Sequence, residues 1–184
     1  MPDLSHSRHI VQVLENAVVR ALPPLYRLTL RGAPAALERA GVALHLAMPE
    51  RACRATVDGE RAVLWLGPDE RLLLMPRALA APTAAALREA LVGAAHALVD
   101  VSERQIALEV SGLHATTVLA AGCPLDLDRS AFPPGMCTRT VLAKAEIVLW
   151  RTGETRFHLE VGRSFTSYVS GFLAEAASEL EISG

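Results

Sequence analysis

The chain has 184 residues, of which 51% are hydrophobic and 4% aromatic, and its formal net charge is −2. This length suits one compact domain or two small lobes around a shared core, and the near-neutral charge provides no basic stripe, which excludes nucleic acid as an expected partner. No apolar stretch reaches the roughly 20 residues of a membrane-spanning helix, and three widely spaced cysteines fit reduced thiols in a cytoplasmic protein.

We predict an N-terminal arm over residues 1–24, followed by a first α+β lobe over residues 25–98. Tyr26, Leu28 and Leu30 alternate with polar residues, and this period of two predicts a strand with one buried face. The remaining predicted elements of this lobe are a helix over 34–40 capped by Gly41, extended segments at 54–57, 62–66 and 72–75, a hairpin turn at Asp58-Gly59, and a helix after Pro82.

A second lobe, residues 99–184, is predicted to repeat the same order of elements. It offers a strand over 106–110, a helix over 114–121, extended segments at 139–142 and 146–150, a turn at 152–154 and a strand over 157–161. Residues that match between the halves lie about 80 to 85 positions apart, which favours an internal duplication; they are Gly32 with Gly112, Gly41 with Gly122, and Trp65 with Trp150. Coincidence between two alternating α+β segments is the alternative.

The last helix carries an apolar stripe at i, i+3, i+4 and i+7 spacing, preceded by Ser164 as a candidate N-cap. We expect this stripe to cover the second sheet, with a partner interface as the alternative because such faces are rich in aromatic residues. The stripe consists of Phe165, Tyr168, Val169, Phe172, Leu173 and Ala176.

Residues with catalytic or metal-binding chemistry do not form a recognisable pattern. His6 and His9 are only a weak metal pair, and Cys123 with Cys137 would need carboxylate ligands such as Asp126 to complete a zinc site, so buried free thiols are the favoured interpretation. Neither a phosphate-binding glycine loop nor a GxSxG nucleophile motif is present. A folded site built from Asp100, Glu103, Arg104 and His114 is the third-ranked hypothesis.

Two sets of motifs resemble known families. The segment 99–102, Val-Asp-Val-Ser, leads into a strand, Gly112 and a helix, and in this it resembles the glycine-cleavage aminomethyltransferases and their folate-binding relatives. A more specific set is similar to the sarcosine oxidase gamma subunit family; it comprises 121–128 (AGCPLDLD), 132–135 (FPPG), 137–140 (CTRT), 144–146 (KAE), 149–151 (LWR), 66–70 (LGPDE), 163–165 (RSF), Tyr168 and 171–173 (GFL).

The gamma-subunit resemblance implies a non-catalytic subunit of a heterotetramer that demethylates sarcosine to glycine, with hydrogen peroxide and a folate-borne one-carbon unit as products. FAD, FMN, NAD and tetrahydrofolate are then expected in the partners, which are larger flavin-containing subunits and a small zinc-containing subunit. The resemblance also implies an aminomethyltransferase-like α+β fold, with two duplicated strand-helix-strand-hairpin-helix lobes in a ferredoxin-like arrangement and mainly antiparallel sheets. The alternative function is a stand-alone folate-binding protein of one-carbon metabolism.

We therefore predict no catalytic, cofactor-binding or metal-binding residue in this chain, and an apolar surface that meets the partners. A stable interface of this kind buries at least ~1,200 Å², and a partner surface left exposed can also pair with itself in the isolated chain. The candidate interface residues are Val11, Leu14, Val18, Phe132, Pro133 and Pro134.

Overall fold

The computed structural model describes the backbone of residues 11–13 and 17–182 and the side chains of residues 17–179. The strands in this part of the chain are β1 (Val11–Val13), β2 (Val18–Ala21), β3 (Leu25–Gly32), β4 (Ala55–Asp58), β5 (Arg61–Gly67), β6 (Glu70–Pro76), β7 (His96–Asp100), β8 (Gln105–Ser111), β9 (Cys137–Leu142), β10 (Ala145–Gly153) and β11 (Arg156–Gly162). The helices are α1 (Pro34–Leu44), α2 (Ala80–Ala90), α3 (Ala115–Ala120) and α4 (Thr166–Ile182).

The strands form two antiparallel sheets. The first sheet has the order β4-β5-β6-β3-β7, and the second has the order β1-β2-β8-β11-β10-β9. Neighbouring strands are antiparallel throughout both sheets. This confirms the predicted α+β class with mainly antiparallel sheets.

Four strands follow the same order in both sheets, β4-β5-β6-β3 in the first and β9-β10-β11-β8 in the second. The fifth strand, which pairs with β3 or β8, comes from a different place in the chain in each sheet. In the first sheet β7, which follows α2, pairs with β3. In the second sheet the corresponding place beside β8 is taken by β2, which precedes β3. The predicted N-terminal arm therefore contributes two strands, β1 and β2, to the second sheet, and the predicted boundary between residues 98 and 99 falls within β7. Duplication of the lobes stays a prediction from the sequence.

The core is arranged in four layers, helices outside and sheets inside. Side chains of α1 and α2, such as Leu37 and Leu87, pack on the outer face of the first sheet. Those of α3 and α4, such as Val118 and Leu173, pack on the outer face of the second sheet. A third apolar cluster lies between the sheets and includes Leu64, Leu72, Leu74, Val101, Cys137 and Val148. Each sheet is thus packed against helices on one face and against the other sheet on the opposite face.

The two sheets also touch edge to edge, at the start of β4 and β9. The Ala55 amide donates to the Gly135 carbonyl at 2.9 Å, and the Cys137 amide donates to the Cys53 carbonyl at 3.0 Å. Cys53 and Gly135 both have left-handed backbones, with φ of 57° and 83°, and at Cys53 the Cβ makes this conformation costly. This bridge fixes the relative position of the sheets at one end.

Helices α1 and α4 differ from their predicted limits. Helix α1 continues through Gly41 to Leu44 because Ala40 and Leu44 both extend its buried face, and it ends at His45, which has the left-handed φ of 48°. Helix α4 begins at Thr166 after a 3₁₀ turn that contains Ser164, so Ser164 is not its N-cap.

Trp65 and Trp150, which match in the sequence, point to opposite faces of their sheets. Leu64 and Leu66 pack between the sheets, so the intervening Trp65 faces the helices, whereas Trp150 packs between the sheets. The cross-strand partner of Trp65 is Arg71. The two tryptophans match in the sequence but not in the structure: the match is off by one residue, because neighbouring strand residues face opposite sides of a sheet.

On its helix-facing side, each sheet instead has an arginine–aromatic pair. Each pair lies next to the β-bulge of a hairpin, β5–β6 in the first sheet and β10–β11 in the second. In the first sheet the guanidinium of Arg71 lies 5.8 Å from the ring centre of Trp65. In the second sheet the guanidinium of Arg151 lies 5.0 Å from the ring centre of Phe157. Both pairs are direct cross-strand neighbours, but the arginine and the aromatic residue have exchanged strands. Such contacts stabilise by about 0.5–2 kcal/mol according to their exposure.

Among the described residues, no helix combines the length and the apolar character needed to cross a lipid bilayer.

Candidate functional site

A buried ion pair joins the facing surfaces of the two sheets. The Nε of Arg27 on β3 lies 2.6 Å from Oε2 of Glu160 on β11, and their side chains are 2% and 0% exposed. The strand pattern alone places Arg27 on a solvent-facing side, but the second sheet covers that side. A buried pair of this kind is stable only when its remaining donors and acceptors are also satisfied.

The rest of the cluster provides those hydrogen bonds. The guanidinium of Arg27 donates to the Leu25 carbonyl at 3.2 Å and to the Ser102 carbonyl at 3.4 Å. The Arg27 amide donates to Oγ of Ser102 at 2.9 Å. On the other side, Nε2 of His158 lies 2.7 Å from Oε1 of Glu160. Each side chain of the cluster is therefore held by partners within the chain.

The environment keeps Glu160 ionised. Burial on its own raises the pKa of the Glu160 carboxyl, but the hydrogen bond from His158, the charge of His158, and the charge and hydrogen bond of Arg27 together lower this pKa below its ordinary value of 4.5. An ionised carboxylate only accepts hydrogen bonds, so Nε2 of His158 is the donor. The His158 ring in turn packs on Trp150, with ring centres 5.6 Å apart.

The ion pair is an asymmetric feature between two sheets of matching order. Arg27 is the ladder neighbour of Leu74 in the first sheet, and Glu160 is the ladder neighbour of Ala107 in the second. Each sheet thus presents one charged and one apolar residue to the other. The ion pair therefore forms only when Arg27 and Glu160 are opposite each other across the space between the sheets.

A cleft of about 700 Å³ opens where the two sheets diverge, and we call it the inter-sheet cleft. Its apolar floor consists of Leu66, Leu72, Val101, Ile147 and Val148. Phe165, from the 3₁₀ turn before α4, lines the same cleft and is 46% exposed.

Charged side chains line the rest of the inter-sheet cleft: Glu103, Arg104, Arg139, Glu146 and Arg163. Arg139 pairs with Glu70, its Nη1 lying 3.3 Å from Oε2 of that carboxylate. Arg163 pairs with Glu103 through Nη2 and Oε2 at 2.7 Å, and Glu103 also bonds to Arg77. The hydrogen bond and charge of Arg77, with a further effect of Arg163, lower the pKa of Glu103. The cleft therefore has an apolar floor and a strongly charged rim.

Comparison with protein families identifies the chain. The model of the family described as "Sarcosine oxidase, gamma subunit family" matches residues 31–179, which is most of the chain. The chain belongs to the sarcosine oxidase gamma subunit family. This confirms the resemblance predicted from the Pro-rich loop, residues 124–135, and the motifs around it.

Individual gamma-subunit relatives support the assignment. The chain is 34% identical over 190 residues to sarcosine oxidase subunit gamma of Corynebacterium sp. (strain U-96), covering 95% of this chain and 90% of that one. It is 41% identical over 118 residues to sarcosine oxidase subunit gamma of Corynebacterium sp. (strain P-1), covering 64% of this chain. That alignment spans only 57% of the length of the relative from strain P-1, and the same share holds for the relative from Arthrobacter sp..

Solved structures show the same relationship in three dimensions. The chain superposes with a TM-score of 0.82 and 30% identity on a chain of heterotetrameric sarcosine oxidase from Corynebacterium sp. U-96 in complex with pyrrole 2-carboxylate, covering 89% of this chain and 84% of that one. It also shares the fold of glycine cleavage system aminomethyltransferase T from Bartonella henselae, with a TM-score of 0.64 and 15% identity, covering 86% of this chain and 45% of that one.

The predicted interface residues of this gamma-subunit family member lie in two places. Val18 is half-buried at the start of β2, while the side chain of Val11 and all of Leu14 lie outside the described part of the chain. In the Pro-rich loop, Phe132 is 1% exposed and packs in the core beneath α3 and α4, so it offers no surface to a partner. Pro133 is half-buried and Pro134 is exposed, which leaves these two as the accessible part of the loop.

The four residues of the hypothetical catalytic site do not come together. Asp100 accepts a hydrogen bond from the Ser102 amide at 2.9 Å and so shapes the turn between β7 and β8. Glu103 lies in the same turn, but His114 lies beyond the other end of β8. With a rise of about 3.3 Å per residue, β8 separates them by roughly 20 Å. The structure therefore does not support this site.

The three cysteines are free thiols, and Cys123 and Cys137 lie on opposite sides of the second sheet. Cys123 lies in the cluster below α3 and α4, with Sγ 3.9 Å from Oγ1 of Thr140, whereas Cys137 lies between the sheets. Burial raises the pKa of the Cys137 thiol to about 12. Among the described residues, no group of three or more His, Cys, Asp or Glu side chains is placed to hold a metal ion; His6 and His9 lie outside the described residues.

Proposed function

We propose that this chain is a structural, non-catalytic gamma subunit of a heterotetrameric sarcosine oxidase. The enzyme would demethylate sarcosine oxidatively to glycine, with hydrogen peroxide and a folate-borne one-carbon unit as products. The observation that carries the proposal is the superposition over 89% of the chain on a chain of heterotetrameric sarcosine oxidase. Membership of the gamma-subunit family supports it.

In this proposal the chain contributes shape and buried surface, and its partners contribute the chemistry. Away from the inter-sheet cleft, side chains such as Leu64 and Leu74 fill the space between the sheets, and the buried charges of Arg27 and Glu160 are paired with each other. FAD, FMN, NAD and tetrahydrofolate would be held by larger flavin-containing subunits, together with a small zinc-containing subunit, and the assembly would be cytoplasmic.

Co-expression with the partner subunits tests the proposal directly. The chain should elute with the larger subunits in size-exclusion chromatography, and flavin absorbance should accompany that complex while the isolated chain is colourless. A flavin spectrum in the isolated chain, or separate elution of the chain and the flavin-containing subunits, would overturn the proposal. Titration of the isolated chain with tetrahydrofolate by calorimetry covers the alternative function, which predicts binding heat.

Point variants are the appropriate test of the proposed interface. Deleting residues 1–22 would remove β2 together with most of the predicted arm. Strand β8 would then lose one of the strands that pair with it in the second sheet. We expect Val18→Lys and Pro134→Lys to weaken co-purification with the larger subunits, because each would place a charge in a desolvated contact. Val57→Lys is the matched control, since Val57 is 55% exposed on the edge strand β4. Full co-purification of both interface variants would remove these positions from the interface.

A further inference from the structure

The inter-sheet cleft is large enough to hold a small molecule. Binding clefts for drug-sized molecules occupy about 300–1,000 Å³ and combine an apolar surface with a few polar groups that fix orientation. The inter-sheet cleft, at about 700 Å³, lies within this range. Leu72, Val101 and Val148 close its floor but are nearly buried, so the accessible apolar surface comes from the half-buried Leu66 and the exposed Phe165. A ligand with an apolar body would bury that surface.

Arg104 distinguishes this cleft from a purely apolar one. The other two arginines of the lining, Arg139 and Arg163, are each paired with a glutamate. Arg104 has no ion pair within the described part of the chain, and it is exposed at the cleft. An exposed guanidinium next to an apolar surface favours an anionic group that can accept two parallel hydrogen bonds.

The backbone of Arg104 is fixed on both sides. Its amide donates to the Val101 carbonyl at 3.0 Å, and its carbonyl accepts from the Arg163 amide at 2.9 Å. The guanidinium therefore extends from an anchored position, and less ordering is needed when a ligand binds. Arg163 is itself held by Glu103.

The other charges of the lining limit the charge of the ligand. The carboxylate of Glu103 is shared by Arg77 and Arg163, but Glu146 adds a second negative charge to the lining. A ligand with two negative charges would meet repulsion from Glu146, since like charges near each other disfavour the charged pair. A monoanion matches this arrangement. The exposed ring of Phe165 adds a surface on which a flat ligand can stack.

We propose that the inter-sheet cleft binds a small organic monoanion, a carboxylate with a flat apolar body, and that Arg104 selects its charge. The site is separate from the proposed partner interface and does not depend on the assembly of an oxidase. Three related probes separate charge from apolar contact. They are 2-naphthoate, its neutral analogue 2-naphthalenemethanol, and the dianion naphthalene-2,6-dicarboxylate.

Calorimetric titration of the full-length chain with each probe tests the proposal. We expect 2-naphthoate to bind about fivefold to tenfold more tightly than the neutral alcohol, as one charge-assisted contact provides, and more tightly than the dianion. Arg104→Gln should abolish this preference for the monoanion while leaving the affinity for the alcohol unchanged. Arg129→Gln is the control, because Arg129 is also exposed but lies outside the lining.

Equal affinity for the charged and neutral probes, no binding of 2-naphthoate, or an Arg104→Gln variant that keeps the preference would each overturn the proposal. The same titration on the co-purified complex tests a different occupant. If 2-naphthoate binds the isolated chain and not the complex, a partner subunit covers the cleft and the small-molecule assignment is wrong. Circular dichroism of both variants confirms that the comparison is made between folded proteins.

Discussion

Arg27 and Glu160 lie 133 positions apart in the chain and yet form a charge-assisted hydrogen bond of 2.6 Å in the interior. Removing one charge from such a pair leaves the other buried without a partner, which costs about 3–5 kcal/mol. We expect Arg27→Met to lower the free energy of unfolding by this amount. Urea unfolding followed by circular dichroism measures it.

Two further variants show whether the cost comes from the unpaired charge. The double variant Arg27→Met with Glu160→Leu removes both charges and should recover part of the lost stability. Arg20→Met is the surface control, since Arg20 pairs with Glu109 but is 48% exposed; such a pair contributes about 0–1 kcal/mol. Equal losses for Arg27→Met and Arg20→Met would mean that the buried pair has no special role.

The lowered pKa of Glu160 predicts a loss of stability in acid. Between its folded-state pKa and its ordinary value of 4.5, the unfolded chain binds more protons at this carboxyl than the folded chain. The contribution of Glu160 is therefore complete above the ordinary value and is lost as the pH falls through the folded-state pKa. Urea unfolding midpoints measured between about pH 7 and about pH 3 should fall less steeply for Glu160→Gln than for the wild type.

The comparison with Glu160→Gln tests the Glu160 cluster and cancels the carboxyls that lie elsewhere in the chain. Hydrogen bonds also lower the pKa values of Glu103 and Asp128, but these carboxyls are present in both proteins and their effects cancel in the difference. Parallel pH profiles for the two proteins would contradict the role assigned to Glu160.

The thiols should react with alkylating reagents at very different rates. The thiolate is the reactive form, and burial raises the pKa of Cys137 to about 12, so Cys137 stays protonated at about pH 8. Cys53 is half-buried, and Cys123 is buried. With iodoacetamide at about pH 8, mass spectrometry should find Cys53 modified first, and Cys137 only after denaturant is added. Early modification of Cys137 would show that the space between the sheets opens readily.

Alanine substitutions at Gly122, which lies next to Phe172 of α4, and at Gly171, which lies within α4, should change the thermal midpoint in opposite directions. A Cβ on Gly122 would lie 2.6 Å from Cζ of Phe172 and 3.0 Å from the Ala143 amide. We expect Gly122→Ala to lower the thermal midpoint, and Phe172→Leu to relieve part of that loss in the double variant. Overpacking of this kind costs about 1–3 kcal/mol.

Gly171 is the matched control for Gly122, because a Cβ there meets no atom within 4 Å. Gly171 lies inside α4, and alanine in a helix interior is about 0.5–1 kcal/mol more favourable than glycine. The thermal midpoint of Gly171→Ala should therefore rise. If both substitutions shift the midpoint in the same direction, the close contact with Phe172 does not govern the result.

Local periodicity was sufficient to predict most elements of the fold. The alternation of Tyr26, Leu28 and Leu30 predicted β3, and the Asp58-Gly59 turn predicted the β4–β5 hairpin, whose register the structure shows. Both patterns depend on residues close in sequence. Val169 and Leu173 on α4 are buried as predicted, but Phe165 and Tyr168, which were predicted on the same buried stripe, are 46% and 41% exposed.

Features that depend on the second sheet could not be predicted in this way. An arginine in an alternating strand is usually exposed, and nothing near Arg27 in the sequence indicates that Glu160 will cover it. The orientation of Phe132 has the same cause, since its burial depends on packing under α3 and α4. The cleft residues Arg104 and Arg163 are adjacent through a hydrogen bond between segments 59 positions apart, so spacing in the sequence carried no signal of the cleft.

The different origin of the fifth strand in each sheet affects how the chain can fold during synthesis and where it can be divided. During synthesis β1 and β2 emerge early and can pair with each other, but β2 cannot pair with β8 until β8 emerges, more than 80 residues later. The first sheet can form in that interval, but the second remains incomplete. Separating the chain between β7 and β8 would leave the second sheet without β1 and β2. The two halves follow each other in the sequence but are interlaced in the fold, because strands that precede the first sheet in the chain complete the second sheet.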